Sequence, residues 1–189
     1  MTERPLRADA RRNREKVLRA AHAAFAESGF GVPLDDIAER AGVGPGTVYR
    51  HFPTKEALFE AVIAARIEDL VADAKVRAEA AEPGESFFGF LARLSAEAAA
   101  KRDLSDAIAV PGSLRDELHT ALGVLLRRAQ QAGQVRTGVG TQDLIMLLKG
   151  VLAAAHDSPD PQAPGRLFAV LTDGLRPPPG LSTGGAFSA

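Results

Sequence analysis

Residues 35–52 read Asp35-Asp36-Ile37-Ala38-Glu39-Arg40-Ala41-Gly42-Val43-Gly44-Pro45-Gly46-Thr47-Val48-Tyr49-Arg50-His51-Phe52. Ile37, Ala38 and Ala41 give a short helix, from about Leu34, one apolar face, and Gly42 breaks it. Gly44-Pro45-Gly46 then leads into a second short helix that runs to about His51. Proline is tolerated in a first helical turn because its missing N–H would have no partner there. Two such helices joined by a glycine-containing turn make a helix-turn-helix. The spacing has a mechanical reason. Ala38 is small where the helices cross, Gly42 supplies backbone freedom at the turn, and Val48 returns an apolar side chain to the crossing. Helices this short cannot bury a core alone, so flanking helices must support them.

Helical periodicity fills the rest of the chain, and no alternating strand pattern bounded by turns is present. A helix is expected over residues 10–28, with Val17, Leu18, Ala21, Ala24 and Phe25 on one stripe and Arg12, Lys16 and Arg19 on another. Thr54 is placed to cap a long helix that Pro83-Gly84 would close, with Glu56 near its positive end. Further helices are expected over residues 86–102, from Ser113 to a stop at Gly133, and over 141–156 and 162–175, with an irregular piece at 104–110. Ser113 to Asp116 has the form of a capping box, and Thr141 of a cap. The fold class is all-α, with about nine helices: an arm and three-helix helix-turn-helix domain over 1–53, a helical domain over 54–175, and a Pro/Gly/Ser-rich disordered tail over 176–189.

Composition bounds the chemistry. The chain has 189 residues, 46% hydrophobic and 25% charged, an ordinary globular balance. It has no Cys, which excludes disulfides, thiolate metal sites and a Cys nucleophile, and its four scattered His make no metal site. No apolar run approaches the ~18 residues that span a bilayer. The amino end lacks an apolar signal core, so a cytoplasmic protein is expected. The net charge is −1, yet residues 1–19 hold seven basic residues against three acidic ones. Such an arm contacts phosphates or is simply solvated. Enzymatic readings fare poorly. Gly42 to Gly46 has the glycines of a phosphate loop but no preceding strand and no following Lys-Ser/Thr, and no Gly-x-Ser-x-Gly elbow occurs. No cofactor is expected.

In a helix-turn-helix the second helix enters the major groove of DNA with its amino end toward the bases. Thr47 and Arg50 would reach base edges, Arg favouring guanine O6 and N7. Pro45 and Gly46 open that helix, and Gly46 would allow close backbone approach. Tyr49, His51 and Lys55 would hold phosphates, with help from the amino end of the Thr54 helix. A bare helix pair with Ala-Gly-Val also occurs as plain helical packing. The basic stripe before it and the Tyr49-Arg50-His51-Phe52 cluster favour DNA.

Phe25, Gly29, Asp36-Ile37-Ala38, Ala41-Gly42-Val43, Gly46 to Phe52 and Lys55-Glu56-Ala57-Leu58 together closely resemble the TetR family of bacterial transcriptional regulators. The resemblance implies a DNA-binding domain of three helices, joined by the Thr54 helix to a helical domain that binds ligand and dimerises. It implies phosphate contacts at Tyr49, His51 and Lys55. Two positions depart from the family: Pro33 stands where a capping Thr is common, and Gly44 where Ser is usual. Side-chain phosphate contacts are therefore not carried over to them. Leu125 to Gln130, Ala132-Gly133, Asp143-Leu144 and Gly150 resemble one subfamily's carboxy-terminal domain.

The resemblance further implies an effector pocket between the helices at 86, 113 and 141, with Phe87, Phe90, Leu94, Leu118, His119, Leu122 and Met146 as candidate lining. Ordinary core packing is the favoured reading for each of the apolar residues, and an exposed or core-bonded histidine is the commoner one for His119. The helix at 141 is apolar nearly all round and must be covered. The family's dimer is a four-helix bundle of the last two helices and their copies, which singles out Leu148, Val151, Leu152, Leu167 and Leu171. The expected function is a homodimeric, sequence-specific DNA-binding regulator, a repressor released from a near-palindromic operator by a small-molecule effector. The competing reading is a helical binding module that does not act through DNA.

Overall fold

The computed structural model describes residues 3–99 and 112–178. These form eight α-helices and one 3-10 turn, with no strand among the described residues. The helices are α1 (Glu3–Ser28), α2 (Leu34–Ala41), α3 (Pro45–His51), α4 (Lys55–Ala78), α5 (Pro83–Ala99), α6 (Gly112–Gln131), α7 (Thr141–Asp157) and α8 (Ala163–Leu175), and the 3-10 turn is Gly29–Gly31. The expected irregular piece at 104–110 and the tail beyond 178 lie outside the described residues.

The chain divides into two compact units. The first holds the residues through Val71 and the start of α6 to Leu118, and the second holds the rest of α4, α5, the remainder of α6, α7 and α8. The division falls inside α4, not at the start of the Thr54 helix, because Leu58, Phe59, Val62, Ile63, Ile67 and Val71 all enter the core of the first unit.

In that core Val17, Leu18, Ala21, Ala24 and Phe25 of α1 meet Ile37, Ala38, Val48 and Phe52. Phe25 packs edge-on to Phe59 at 5.2 Å between ring centres, and Phe30 lies within 6.0 Å of Phe25. Helix α1 begins well before residue 10. From residue 9 onward its first buried residue is Val17, and between residues 9 and 16 only Asn13 is even half-buried. Thr54 caps α4 as expected, its Oγ1 accepting from the Ala57 N–H at 3.1 Å.

The second unit corrects several helix ends. Helix α4 stops at Ala78, and Pro83 opens α5 instead of closing α4. Proline serves a helix start as well as a stop, so sequence alone could not separate the two uses. The Arg128 guanidinium donates to the carbonyls of Ala78 and Ala80, the latter at 3.1 Å, and so satisfies the end of α4. Gln134 Oε1 accepts from the Gly84 N–H at 2.6 Å in the first turn of α5. Gly133 takes the left-handed conformation (φ 69°) after α6, where the Gln134 N–H reaches the Ala129 carbonyl at 2.9 Å. Ser113 lies inside the described helix α6, not ahead of it. Gly140, not Thr141, is the cap of α7, and its N–H donates to the Asp143 carboxylate at 2.9 Å. Between α7 and α8 the Asp160 carboxyl is held below its ordinary range by the Gln162 N–H and then by Arg166.

Candidate nucleic-acid interface

Helix α2 starts at Pro33, which provides no side-chain cap, and carries Asp35 and Asp36 in its first turn. Gly42 adopts φ 65°, the left-handed region that costs an L side chain roughly 1–2 kcal/mol. This lets the chain reverse while the Val43 N–H still reaches the Ala38 carbonyl at 3.1 Å. Helix α3 opens at Gly44 with Pro45 in its first turn. The Phe52 N–H closes it on the Val48 carbonyl at 2.8 Å. Ile37, Ala38 and Val48 are fully buried at the crossing. The expected role of Ala38 and Val48 in joining the two helices is what the packing shows.

Burying Val48 and Phe52 fixes which face of α3 is presented. Gly46 and Arg50, four residues apart, form the exposed ridge opposite Val48, with Pro45 and Tyr49 also exposed and Thr47 and His51 half-buried. Tyr49 is 48% exposed. Nothing in the fold restrains Arg50, which has no ion pair or hydrogen bond among the described residues. Arg40 is different, because it pairs with Glu27 at 2.6 Å and ties α2 to α1.

Lys55 does not stand free. Its Nζ donates to the Phe30 carbonyl at 3.0 Å and lies 5.2 Å from the centre of the Phe30 ring. The ammonium has three donors, so two remain for a phosphate, but its position is set from within the chain. No local pattern signals that bond, since Phe30 is 25 residues away. Another contact invisible in the sequence is Arg14, whose guanidinium sits 5.6 Å from the centre of the Phe52 ring at the end of α3.

The other expected residues are scattered. Phe87, Phe90 and Leu122 are buried in the second unit, where Leu94 and His119 are half-buried. Leu118 packs instead on the core of the first unit. Met146 is 66% exposed, so it does not share the interior with Phe87 and Phe90. Leu148 and Leu171 are buried within their own chain, and Val151, Leu152 and Leu167 are half-buried. The large apolar side chains that remain exposed on these helices are Met146, Leu147 and Val170. Among the described residues no group of His, Asp or Glu is placed to hold a metal ion. No described helix is long and apolar enough to cross a membrane.

Comparison with known proteins places this geometry. Residues 17–62 match the family described as bacterial regulatory proteins, tetR family. Residues 82–177 match the C-terminal domain described as transcriptional regulator SbtR-like. A TetR transcription regulatory protein from Mycobacterium vanbaalenii is 40% identical, with a TM-score of 0.75, over 92% of this chain and 100% of that one. The TetR transcriptional regulator SCO0520 from Streptomyces coelicolor is 33% identical, with a TM-score of 0.73, over 87% of this chain and 98% of its own. The HTH-type transcriptional regulator UidR of Escherichia coli is 27% identical over 164 residues, 78% of this chain and 84% of UidR.

Proposed function

The chain belongs to the TetR family of bacterial transcriptional regulators, and from that premise we propose that it is a homodimeric repressor released from its operator by a small-molecule effector. The observation that carries the DNA reading is the exposed ridge of α3. Gly46 offers bare backbone there and Arg50 an unengaged guanidinium, while the opposite face is locked into the core by Val48 and Phe52. An arginine in that position is suited to a bidentate contact with guanine. Thr47 would add a base-edge contact, and Tyr49, His51 and Lys55 would hold phosphates on either side.

Two copies related by a two-fold axis would present two such ridges, about 34 Å or more apart, to a near-palindromic site. Met146 and Leu147 of α7, with Gly150, Ala153 and Ala154 beside them, form an exposed face bounded at its two ends by Asp143 and Asp157. Together with Val170 of α8, this is the surface we assign to the partner copy. An effector in the second unit, near Phe87, Phe90 and Leu122, would release DNA by preferring one spacing of the ridges over another.

Selection of bound fragments from genomic DNA, followed by titration of the full chain on the recovered duplex, tests the reading. Binding is expected to be sequence-selective and steeply salt-dependent. Arg50→Ala should relax preference at one base position per half-site, at about 1–3 kcal/mol. Retention of full discrimination in Arg50→Ala would remove Arg50 from the reading set, and absence of any sequence preference in the unaltered protein would defeat the proposal.

A further inference from the structure

The turn after α1 returns an aromatic ring to the start of α4, within the first unit. Gly29 takes the left-handed conformation (φ 66°), and Phe30 is the middle residue of the 3-10 turn. Its ring lies 22° from parallel to that of Phe25, with centres 6.0 Å apart, and edge-on to that of Phe59 at 5.9 Å. Phe59 stands four residues beyond Lys55 on α4, so the helix face that receives the ring also carries the ammonium. Phe30 thereby meets Lys55 at two points. Its carbonyl accepts from Nζ at 3.0 Å, and the centre of its ring is 5.2 Å from the same atom.

Helix α4 gains nothing electrostatically from this lysine. Lys55 is its first residue, where a cation meets the positive end of the helix dipole. Among the described residues Lys55 has no carboxylate partner. Fixing the head of a lysine also removes the rotamer freedom of a four-carbon stem. What the two contacts do accomplish is pre-orientation. An ammonium already held in place does not have to be ordered when an anion arrives. One of its three donors faces the Phe30 carbonyl, and the other two diverge from it.

We propose that Phe30 is a positioning residue for operator binding, whose carbonyl and ring hold the Lys55 ammonium ready for a DNA phosphate. Phe30 is half-buried and acts through Lys55, so part of the operator affinity is set by a residue outside the helix-turn-helix. The inference rests on the DNA reading above, and the test separates the two. It also has a definite sign. If the ring pre-orients the ammonium, weakening the ring's attraction weakens DNA binding. If the ring competes with phosphate for the ammonium, the same change tightens binding.

The full chain is titrated on its selected operator at several salt concentrations. Unaltered protein is compared with Lys55→Met, with a ring-fluorinated phenylalanine in place of Phe30, and with both changes together. Fluorination drains negative charge from the ring face and keeps the carbonyl and, closely, the shape that packs on Phe25 and Phe59. Lys55→Met should make the slope of log affinity against log salt shallower by about 0.9, the contribution of one phosphate. The fluorinated ring should weaken binding about two- to fivefold, the range of one exposed cation–π contact, and leave the slope unchanged. In the Lys55→Met chain the same fluorination should have no further effect, which a merely structural role of Phe30 would not produce. Unchanged or tighter binding with the fluorinated ring overturns the inference, as does an equal loss with and without Lys55. An unaltered slope in Lys55→Met, while Arg50→Ala still loses discrimination, also overturns it and leaves the DNA reading standing. Failure of the unaltered protein to prefer any sequence removes both.

Discussion

Gly46 lies within α3 at an ordinary helical φ, and a Cβ built on it would meet nothing within 4 Å. The chain itself therefore has no use for a glycine there, although a helix-interior glycine costs roughly 0.5–1 kcal/mol relative to alanine. On the proposed DNA reading, the glycine would admit close approach of the duplex to the backbone. Gly46→Ala is accordingly expected to raise unfolding stability by about 0.5–1 kcal/mol in urea while weakening operator binding. A variant stabilised without loss of affinity would show that nothing approaches this position. Gly42 is the contrasting case. Its glycine answers to a left-handed turn within the chain, so its role was legible from its place between two helical patterns. Lys55 was legible only in part, since its bond to the Phe30 carbonyl depends on where α4 lies against the 3-10 turn.

The subfamily pattern from Leu125 to Gly150 resolves, at the level of elements, into a joint between helix ends. Arg128 closes the end of α4, Gln134 receives the start of α5, and Gln130 donates to the carbonyls of Arg136 and Val139 in the loop that leads to α7. Arg127 and Arg128 are indistinguishable by sequence reading, yet Arg127 is exposed and Arg128 half-buried on the α4 carbonyls. Arg128→Ala should therefore destabilise the fold by about 1–2 kcal/mol, because two carbonyls lose a charged donor. Arg127→Ala should stay within about 0.5 kcal/mol. Parallel urea titrations compare the pair, and equal effects would mean that Arg128 caps nothing. The correction at Pro83-Gly84 belongs to the same scale, because which helix a proline serves depends on the neighbour that receives its turn, here Gln134, 50 residues on from Gly84.

For the whole molecule, the question is what covers α7. A helix apolar on nearly every side must be enclosed, but one chain encloses only the side of Leu144, Ile145, Leu148 and Ala155. Met146, Leu147 and Val170 stay 66%, 46% and 72% exposed. If a second copy covers them, Leu147→Glu/Val170→Glu should sediment as single chains, retain the melting of the buried core, and bind a full operator no better than a half-site. A double variant with the unaltered protein's mass would move the interface elsewhere. Leu148 and Leu171, singled out from the sequence, are buried inside their own chain, and replacing them would test folding and not assembly.

The amino-acid sequence by itself determined the all-helical class, the α2–turn–α3 pair and the cap at Thr54. Each of these follows from interactions among residues only a few positions apart: a helical period, a left-handed glycine, a hydroxyl reaching the third N–H. Only the tertiary structure decided which face of α7 looks inward, which helix Pro83 starts, what holds Lys55, and that Arg14 of α1 lies over the Phe52 ring. Those outcomes depend on contacts between segments tens of residues apart. A helical period measured along one segment fixes the relative directions of its own side chains and carries no information about which direction another segment will occupy.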